Sequence, residues 1–208
     1  MADIAKVISS DWPSGQLESH PFVWAYAAPG ELIDPLAAIE LARKFPTELV
    51  RRDRSERIDG KQYRNYSIAA TQPSVYSALS PIWQRLVGEL LAAEFSARMA
   101  RFLRQAPAKK MEIRLVRHES GDWMGPHTDS AEKLFTLVLY FNEMWREQDG
   151  GALELLGDNN FTSVVRRIYP LLGSAVVLVP SDRSWHQVQP VLVSEGRYRQ
   201  SLVVHGSR

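Results

Sequence analysis

Up to about residue 110, apolar side chains recur at three- and four-residue steps; beyond it they gather into short runs cut by turn residues. In the first half, Asp34 and Pro35 read as an N-cap and a first-turn proline. They open a helix over LAAIELARKF in which Leu36, Ile39 and Phe45 share a side, and Pro46 stops it. A longer helix is expected over 81–104, where Trp83, Leu86, Val87, Leu90, Phe95 and Met99 mark an apolar stripe. KQYRNYSIAA, residues 61–70, alternates enough to be a strand. In the second half MEIRLVRH, LFTLVLYFN, ALELL, SAVVLVP, QPVLV and QSLVVH read as strands, with GDWMGP, REQDGG, GDNN, PSDRS and SEGR as the turns between them. Many short strands at even spacing predict a sandwich or barrel rather than βαβ units. The expected fold is α+β and mainly β, with one domain over 1–208. Its helical support region covers 1–110 and its β-sandwich 111–206.

Composition narrows the chemistry. With 208 residues, 45% of them hydrophobic, the chain can bury a core without covalent staples. It has no cysteine, which excludes disulfides, thiolate zinc sites, iron–sulfur ligation and cysteine nucleophiles. Any bound metal must therefore sit on nitrogen and oxygen. The 25 basic and 24 acidic side chains leave no footprint for nucleic acid or an anionic membrane, which points to a small-molecule or amino-acid-like partner. No stretch approaches the ~18 apolar residues of a membrane span, and MADIAKVISSDWPSG does not read as a secretory signal. A cytoplasmic location is the expectation. NYS at 65–67 and NFT at 160–162 fit the glycosylation pattern but lack the secretory context.

The candidate chemistry centres on GDWMGPHTDS, residues 121–130. His127 and Asp129 stand two apart, so on a strand both side chains would leave one face and make half of a metal site. Alone, this pair reads as well as a loop histidine and a turn aspartate. His186, 57 residues after Asp129 in PSDRSWHQVQPV, supplies a third nitrogen or oxygen ligand at the start of another strand. Two histidines and a carboxylate suit the facial triad of non-haem Fe(II) oxygenases, which keeps coordination positions open. By itself His186 reads equally as a strand-edge histidine beside Trp185.

The run RHESGDWMGPHTDSAEKLFTLVLYFNEMWREQDGGALELL, then SDRSWHQVQPV, then RYRQSLVV, resembles the 2-oxoglutarate and Fe(II)-dependent dioxygenases of the prolyl 4-hydroxylase-like branch. The resemblance covers about residues 111–206 and implies a double-stranded β-helix, or jelly-roll, core. It assigns His127, Asp129 and His186 to Fe(II) and to catalysis. It places Arg199, in RQSLVV, at the family's anchor for the distal carboxylate of 2-oxoglutarate, where a planar guanidinium can make two parallel hydrogen bonds. Arg197 is the rival for that role. Tyr140, in LYFN, matches a family tyrosine that bonds the same carboxylate, and reads also as a buried core aromatic. His118 departs from the family, whose members often carry a tyrosine there; it is a further candidate cosubstrate contact.

The implied cofactors are Fe(II), 2-oxoglutarate and O₂, with ascorbate an expected stimulant. The implied reaction hydroxylates a substrate C–H and releases succinate and CO₂. Halogenating relatives lack the carboxylate that Asp129 supplies, so hydroxylation is favoured over halogenation. Two alternatives stand beside this: a cupin-like metal-dependent isomerase or epimerase, and a jelly-roll binding module without catalysis. For the substrate, Asp122, Trp123 and Met124 are candidates for a lip, residues 64–66 for a strand near the mouth, and Arg114, Arg117 and His205 for the cavity wall.

Overall fold

The computed structural model describes residues 6–13, 15–58 and 61–208. Its elements begin with β1 (Trp24–Ala27), α1 (Pro35–Arg43), β2 (Val50–Ile58) and β3 (Lys61–Ala69). Helices α2 (Pro73–Ala78), α3 (Pro81–Leu91) and α4 (Ala93–Leu103) follow. The strands then run β4 (Lys110–His118), β5 (Trp123–His127), β6 (Lys133–Tyr140) and β7 (Leu153–Leu156). They end with β8 (Val164–Ile168), β9 (Ala175–Leu178), β10 (His186–Val188) and β11 (Arg199–Ser207).

All pairings are antiparallel. One half of the sheet runs β1-β9-β6-β11-β4 and the other β5-β10-β7-β8, and β3 joins them by pairing with β4 through Tyr66–Ala69 and with β5 through Tyr63 and Arg64. Val138, Tyr140, Val176 and Leu178 of the first half pack with Leu153, Leu155, Ile168 and Val188 of the second, so the sheet curls into a sandwich. This is the jelly-roll order, β9-β6-β11-β4 facing β5-β10-β7-β8.

The outer face of β4, β6 and β11 is covered by the helices. Ile113, Leu115, Leu137, Leu139, Leu202 and Val204 form one core with Leu41, Trp83, Leu86, Leu90, Phe95 and Met99. Because both faces of these strands are covered, β6 is buried along nearly its whole length and is apolar apart from Lys133 and Thr136. The neighbouring positions of the same strands turn inward and line the functional cavity described below. Asp34 caps α1 as its sequence suggests, its carboxylate accepting from the backbone N–H groups of Leu36 (2.9 Å) and Ala37 (3.0 Å).

Four expectations need correction. The region before residue 110 supplies β1 and β2 as well as the strand expected at 61–70, which is β3. The long helix over 81–104 is two helices, broken at Ala92 (φ −62, ψ 139). An unbroken helix would carry the α3 stripe of Trp83, Leu86, Val87 and Leu90 on to Glu94; the break leaves Glu94 exposed and buries Phe95 instead. The segment GDWMGP, read as a turn, contains β5, and VVRRI forms β8. QPVLV forms only an isolated bridge, Val191 to Gly150. Among the described residues no helix is long and apolar enough to cross a membrane.

Trp83 is the pivot of the helix–sheet contact. It is fully buried, meets Phe45 edge-on at 5.4 Å and Phe141 at 4.9 Å, and donates its indole N–H to the Leu41 carbonyl at 3.1 Å. Trp83→Ala is expected to lower the unfolding free energy by about 3–5 kcal/mol, read as a fall in the urea midpoint.

Candidate active site

The β5–β10 ladder sets His127 opposite His186, with ring centroids 4.2 Å apart. Each Nδ1 lies 2.9 Å from a backbone carbonyl oxygen two residues earlier, that of Gly125 for His127 and Ser184 for His186. A carbonyl only accepts, so each Nδ1 carries the proton and the lone pair sits on Nε2, the tautomer a metal requires. Strand β10 is only three residues long and is tied from its other face. Gln187 and Gln189 donate to Glu154 at 2.6 and 2.7 Å, and Arg167 binds the same carboxylate at 2.7 Å.

Asp129 stands past the end of β5, so it does not share a strand face with His127 as expected. Side chains of β6 hold it instead. Lys133 donates to Oδ1 at 2.8 Å and Thr136 to Oδ2 at 2.6 Å; Thr136 in turn meets Nδ1 of His205 at 2.9 Å. One ligand atom from each of His127, Asp129 and His186 lies within 4.8 Å of the others, and all three residues are buried. Two imidazoles and one carboxylate on a shared point are a donor set that fits Fe(II) with positions left open.

The three open into a cavity of about 190 Å³ between the two halves of the sheet. Its far end holds Arg199, 2% exposed, whose guanidinium lies 5.2 Å from the Tyr140 ring. The Nε of Arg199 donates to the Gly151 carbonyl at 2.6 Å, and among the described residues no carboxylate is within ion-pair reach of it. Gly150 and Gly151 have φ of +63° and +64°; a Cβ at Gly150 would sit 2.3 Å from the Pro190 carbonyl, and one at Gly151 3.0 Å from Cδ of Arg199. The paired glycines therefore let this turn close against the arginine. Around it, the Tyr140 hydroxyl and both ring nitrogens of His118 are buried without hydrogen-bond partners. Burial pushes Tyr140 up to about 12, against the pull of the Arg199 charge. Burial, aided by the same charge, holds His118 well below its usual 6.5. The far end is thus a fixed cation ringed by neutral polar groups that lack partners, a fit for an anionic, oxygen-rich ligand.

Residues 113–205 match the family model of the 2OG-Fe(II) oxygenase superfamily. That segment is similar to the core of those oxygenases. The whole fold is similar to a Pseudomonas putida prolyl-4-hydroxylase, at 20% identity and a TM-score of 0.62 over 89% of this chain and 92% of that one. It is also similar to a Trichoplax adhaerens prolyl hydroxylase solved with a hypoxia inducible factor peptide fragment (14% identity, TM-score 0.60, 88% and 83% covered). A Burkholderia pseudomallei oxidoreductase of the 2OG-Fe(II) oxygenase family is a third relative (17% identity, TM-score 0.57, 88% and 84% covered). No curated protein matches the chain.

The curled sheet brings together His127, Asp129, His186, Arg199, Tyr140 and His118 on one cavity. Arg197 lies elsewhere: it ion-pairs with Asp149 at 2.9 Å and packs over Trp145 outside the cavity. Arg114 and His205 line the wall as expected and Met124, expected in a lip, lines it too, whereas Arg117 stacks between Tyr66 and Tyr198 and Asp122 accepts from the backbone N–H of Glu119. From β3 it is Tyr63, Asn65 and Ser67 that turn inward, not Arg64 or Tyr66. Thr136, Lys133 and the partners of the Gly150–Gly151 turn were not singled out in the sequence. Thr136 had a legible signal as the one small hydroxyl residue amid the apolar run of β6.

His118 gives this site a pH dependence. The unfolded chain takes up a proton near 6.5 that the buried ring refuses, so stability is fully present above that pH and is lost as the pH falls below it. Urea unfolding across this range is expected to show that decline, and His118→Phe to make it shallower.

Proposed function

We propose that the protein hydroxylates an unactivated C–H of a small-molecule or amino-acid-like substrate, free, peptidyl or carrier-bound, with release of succinate and CO₂. The observation that carries this reading is a cavity holding the His127, Asp129 and His186 cluster near a buried guanidinium that has no carboxylate partner among the described residues. His127, Asp129 and His186 would hold Fe(II), and Arg199 and Tyr140, with His118 beside them, the cosubstrate. When bound, Fe(II) and 2-oxoglutarate supply the oxidising power, one atom of O₂ going into succinate and the other into the new C–OH, with CO₂ released. The prolyl hydroxylases among the structural relatives support peptidyl substrates as one branch of the proposal.

The chain's own work is positioning and exclusion of water. With Nε held by Gly151, Arg199 directs its terminal nitrogens at a carboxylate, in the paired geometry that lysine lacks. Tyr140, its hydroxyl pushed up to about 12, stays protonated at neutral pH and donates. Neutral His118 donates from one nitrogen and accepts at the other. Val138, Leu153, Leu178 and Val188 line the cavity between the polar ends and keep it poor in water. Lys133 and Thr136 fix both oxygens of Asp129, so the carboxylate is oriented before a metal arrives.

Two outcomes are expected. Anaerobic addition of Fe(II) and 2-oxoglutarate to the protein gives a visible charge-transfer band, and the Asp129→Ala, His186→Ala double variant gives none. No band from folded wild-type protein would overturn the oxygenase reading. Arg199→Ala weakens 2-oxoglutarate binding about a hundredfold or more, the loss of two charge-assisted hydrogen bonds, whereas Arg197→Ala changes it less than about twofold. Titration of the band with 2-oxoglutarate measures both.

A further inference from the structure

The same cavity carries polar groups beyond the metal cluster, Arg199, Tyr140 and His118; in the β3–β4 register Asn65 adjoins Tyr66, the partner of Arg117, and so stands next to His118. On β2 and β3, Arg52 and Asn65 are direct cross-strand partners, and both line the cavity. Arg52 is exposed, with no carboxylate in ion-pair reach among the described residues. Asn65 is 5% exposed, yet its Oδ1 has no hydrogen-bond partner. A buried amide oxygen in that condition calls for a donor, and an unpaired guanidinium for an acceptor. Arg114 adds a second cation to the wall, held by Ser67 at 3.1 Å and Glu112 at 3.1 Å. Among the described residues Asp129 is the one acidic residue lining the cavity, and it belongs to the metal cluster. With Arg199 assigned to the cosubstrate, the charge left for a substrate to meet is positive.

Resting on the oxygenase reading above, we infer that Arg52 and Asn65, with Arg114 behind them, form the substrate subsite and that it takes an amino-acid unit with a free carboxylate. The carboxylate pairs with Arg52, within the field of Arg114, and the nitrogen bound to the same α-carbon donates to Oδ1 of Asn65. Cross-strand partners have Cα atoms only about 4.5–5.5 Å apart. That suits a ligand whose anion and N–H donor are separated by one carbon. A plain carboxylic acid would leave Asn65 without its donor, and a neutral or cationic substrate would leave Arg52 without its acceptor. A free amino acid and the C-terminal residue of a peptide share the required chemistry. An internal peptide residue or a carrier-bound thioester does not.

The test is anaerobic titration of the Fe(II)- and 2-oxoglutarate-loaded protein, reading the shift of its charge-transfer band. The probes are the proteinogenic L-amino acids, their C-terminal amides, Ala-Xaa dipeptides with free or amidated ends, and peptides blocked at both ends. At least one probe with a free carboxylate is expected to shift the band and to bind tenfold or more tightly than its amide. Amino acids against dipeptides decide which source is used. Arg52→Gln, at an exposed position, is expected to abolish the preference for the free acid over the amide, and Arg52→Lys to retain part of it. The inference is overturned by equal binding of acid and amide, by a response confined to blocked peptides, or by an unchanged preference in Arg52→Gln. A normal band that no carboxylate probe shifts overturns it alone; absence of the band overturns the oxygenase reading and this inference with it.

Discussion

A guanidinium buried with no counter-carboxylate among the described residues is the constraint around which this molecule is arranged. Arg199 is 2% exposed, and its Nε bond to the Gly151 carbonyl satisfies only part of its donor fork. Taking such a charge out of water is costly unless something in the site offsets it. The protein supplies a carbonyl dipole, the face of Tyr140 and a turn built from two glycines at positive φ, and it keeps His118 neutral so that no second cation stands beside the first. What remains unsatisfied is the attraction for an anion, and that residue of free energy is what a dicarboxylate cosubstrate can collect. A site kept polar and incomplete in this way trades stability for binding.

That arrangement depends on the two-residue period of three long strands. Odd and even positions of β4 and β11 go to opposite faces. Ile113 and Leu115, or Leu202 and Val204, face the helices, while Arg114 and His118, or Arg199 and Ser201, face the cavity. A slip of one residue in the β4–β11 ladder, which pairs Arg199 with His118, would send the arginine into the helical core. The Trp83, Phe45 and Phe141 cluster therefore acts on the site indirectly: by burying one face of the sheet it makes that slip prohibitive.

The same period explains what could be read from the sequence. Most strands after residue 110 and the helix at Asp34 follow from patterns local to the chain, and the candidate ligands from the family resemblance. The choice between Arg199 and Arg197 does not, since both lie on one face of an extended strand. It is decided by where β11 begins: Arg197 lies before Arg199, the first residue of the strand, and is drawn off by Asp149, a partner 48 residues away in the chain. The break at Ala92 was hidden because its stripe continues at helical spacing on either side and only the phase changes. Strand β5 was masked by Gly125 and Pro126, residues that read as a turn and are accepted here beside the histidine ligand.

The metal cluster itself is held by two kinds of support. The histidines are fixed by backbone carbonyls two residues upstream, a purely local device that any similar loop-to-strand transition can repeat. Asp129 lies outside the strand and has no such local hold; its two oxygens are set by Lys133 and Thr136 on β6, and Thr136 is set in turn by His205 on β11. The ammonium offsets the charge of a carboxylate that is otherwise buried, and the hydroxyl fixes its rotation. Strand β11 thus presents Arg199 near one end of the cavity wall and His205 near the other, in register with His118 and Thr136 respectively. One strand carries both Arg199 and the support of Asp129, so the distance between them is set by backbone geometry rather than by loop conformation.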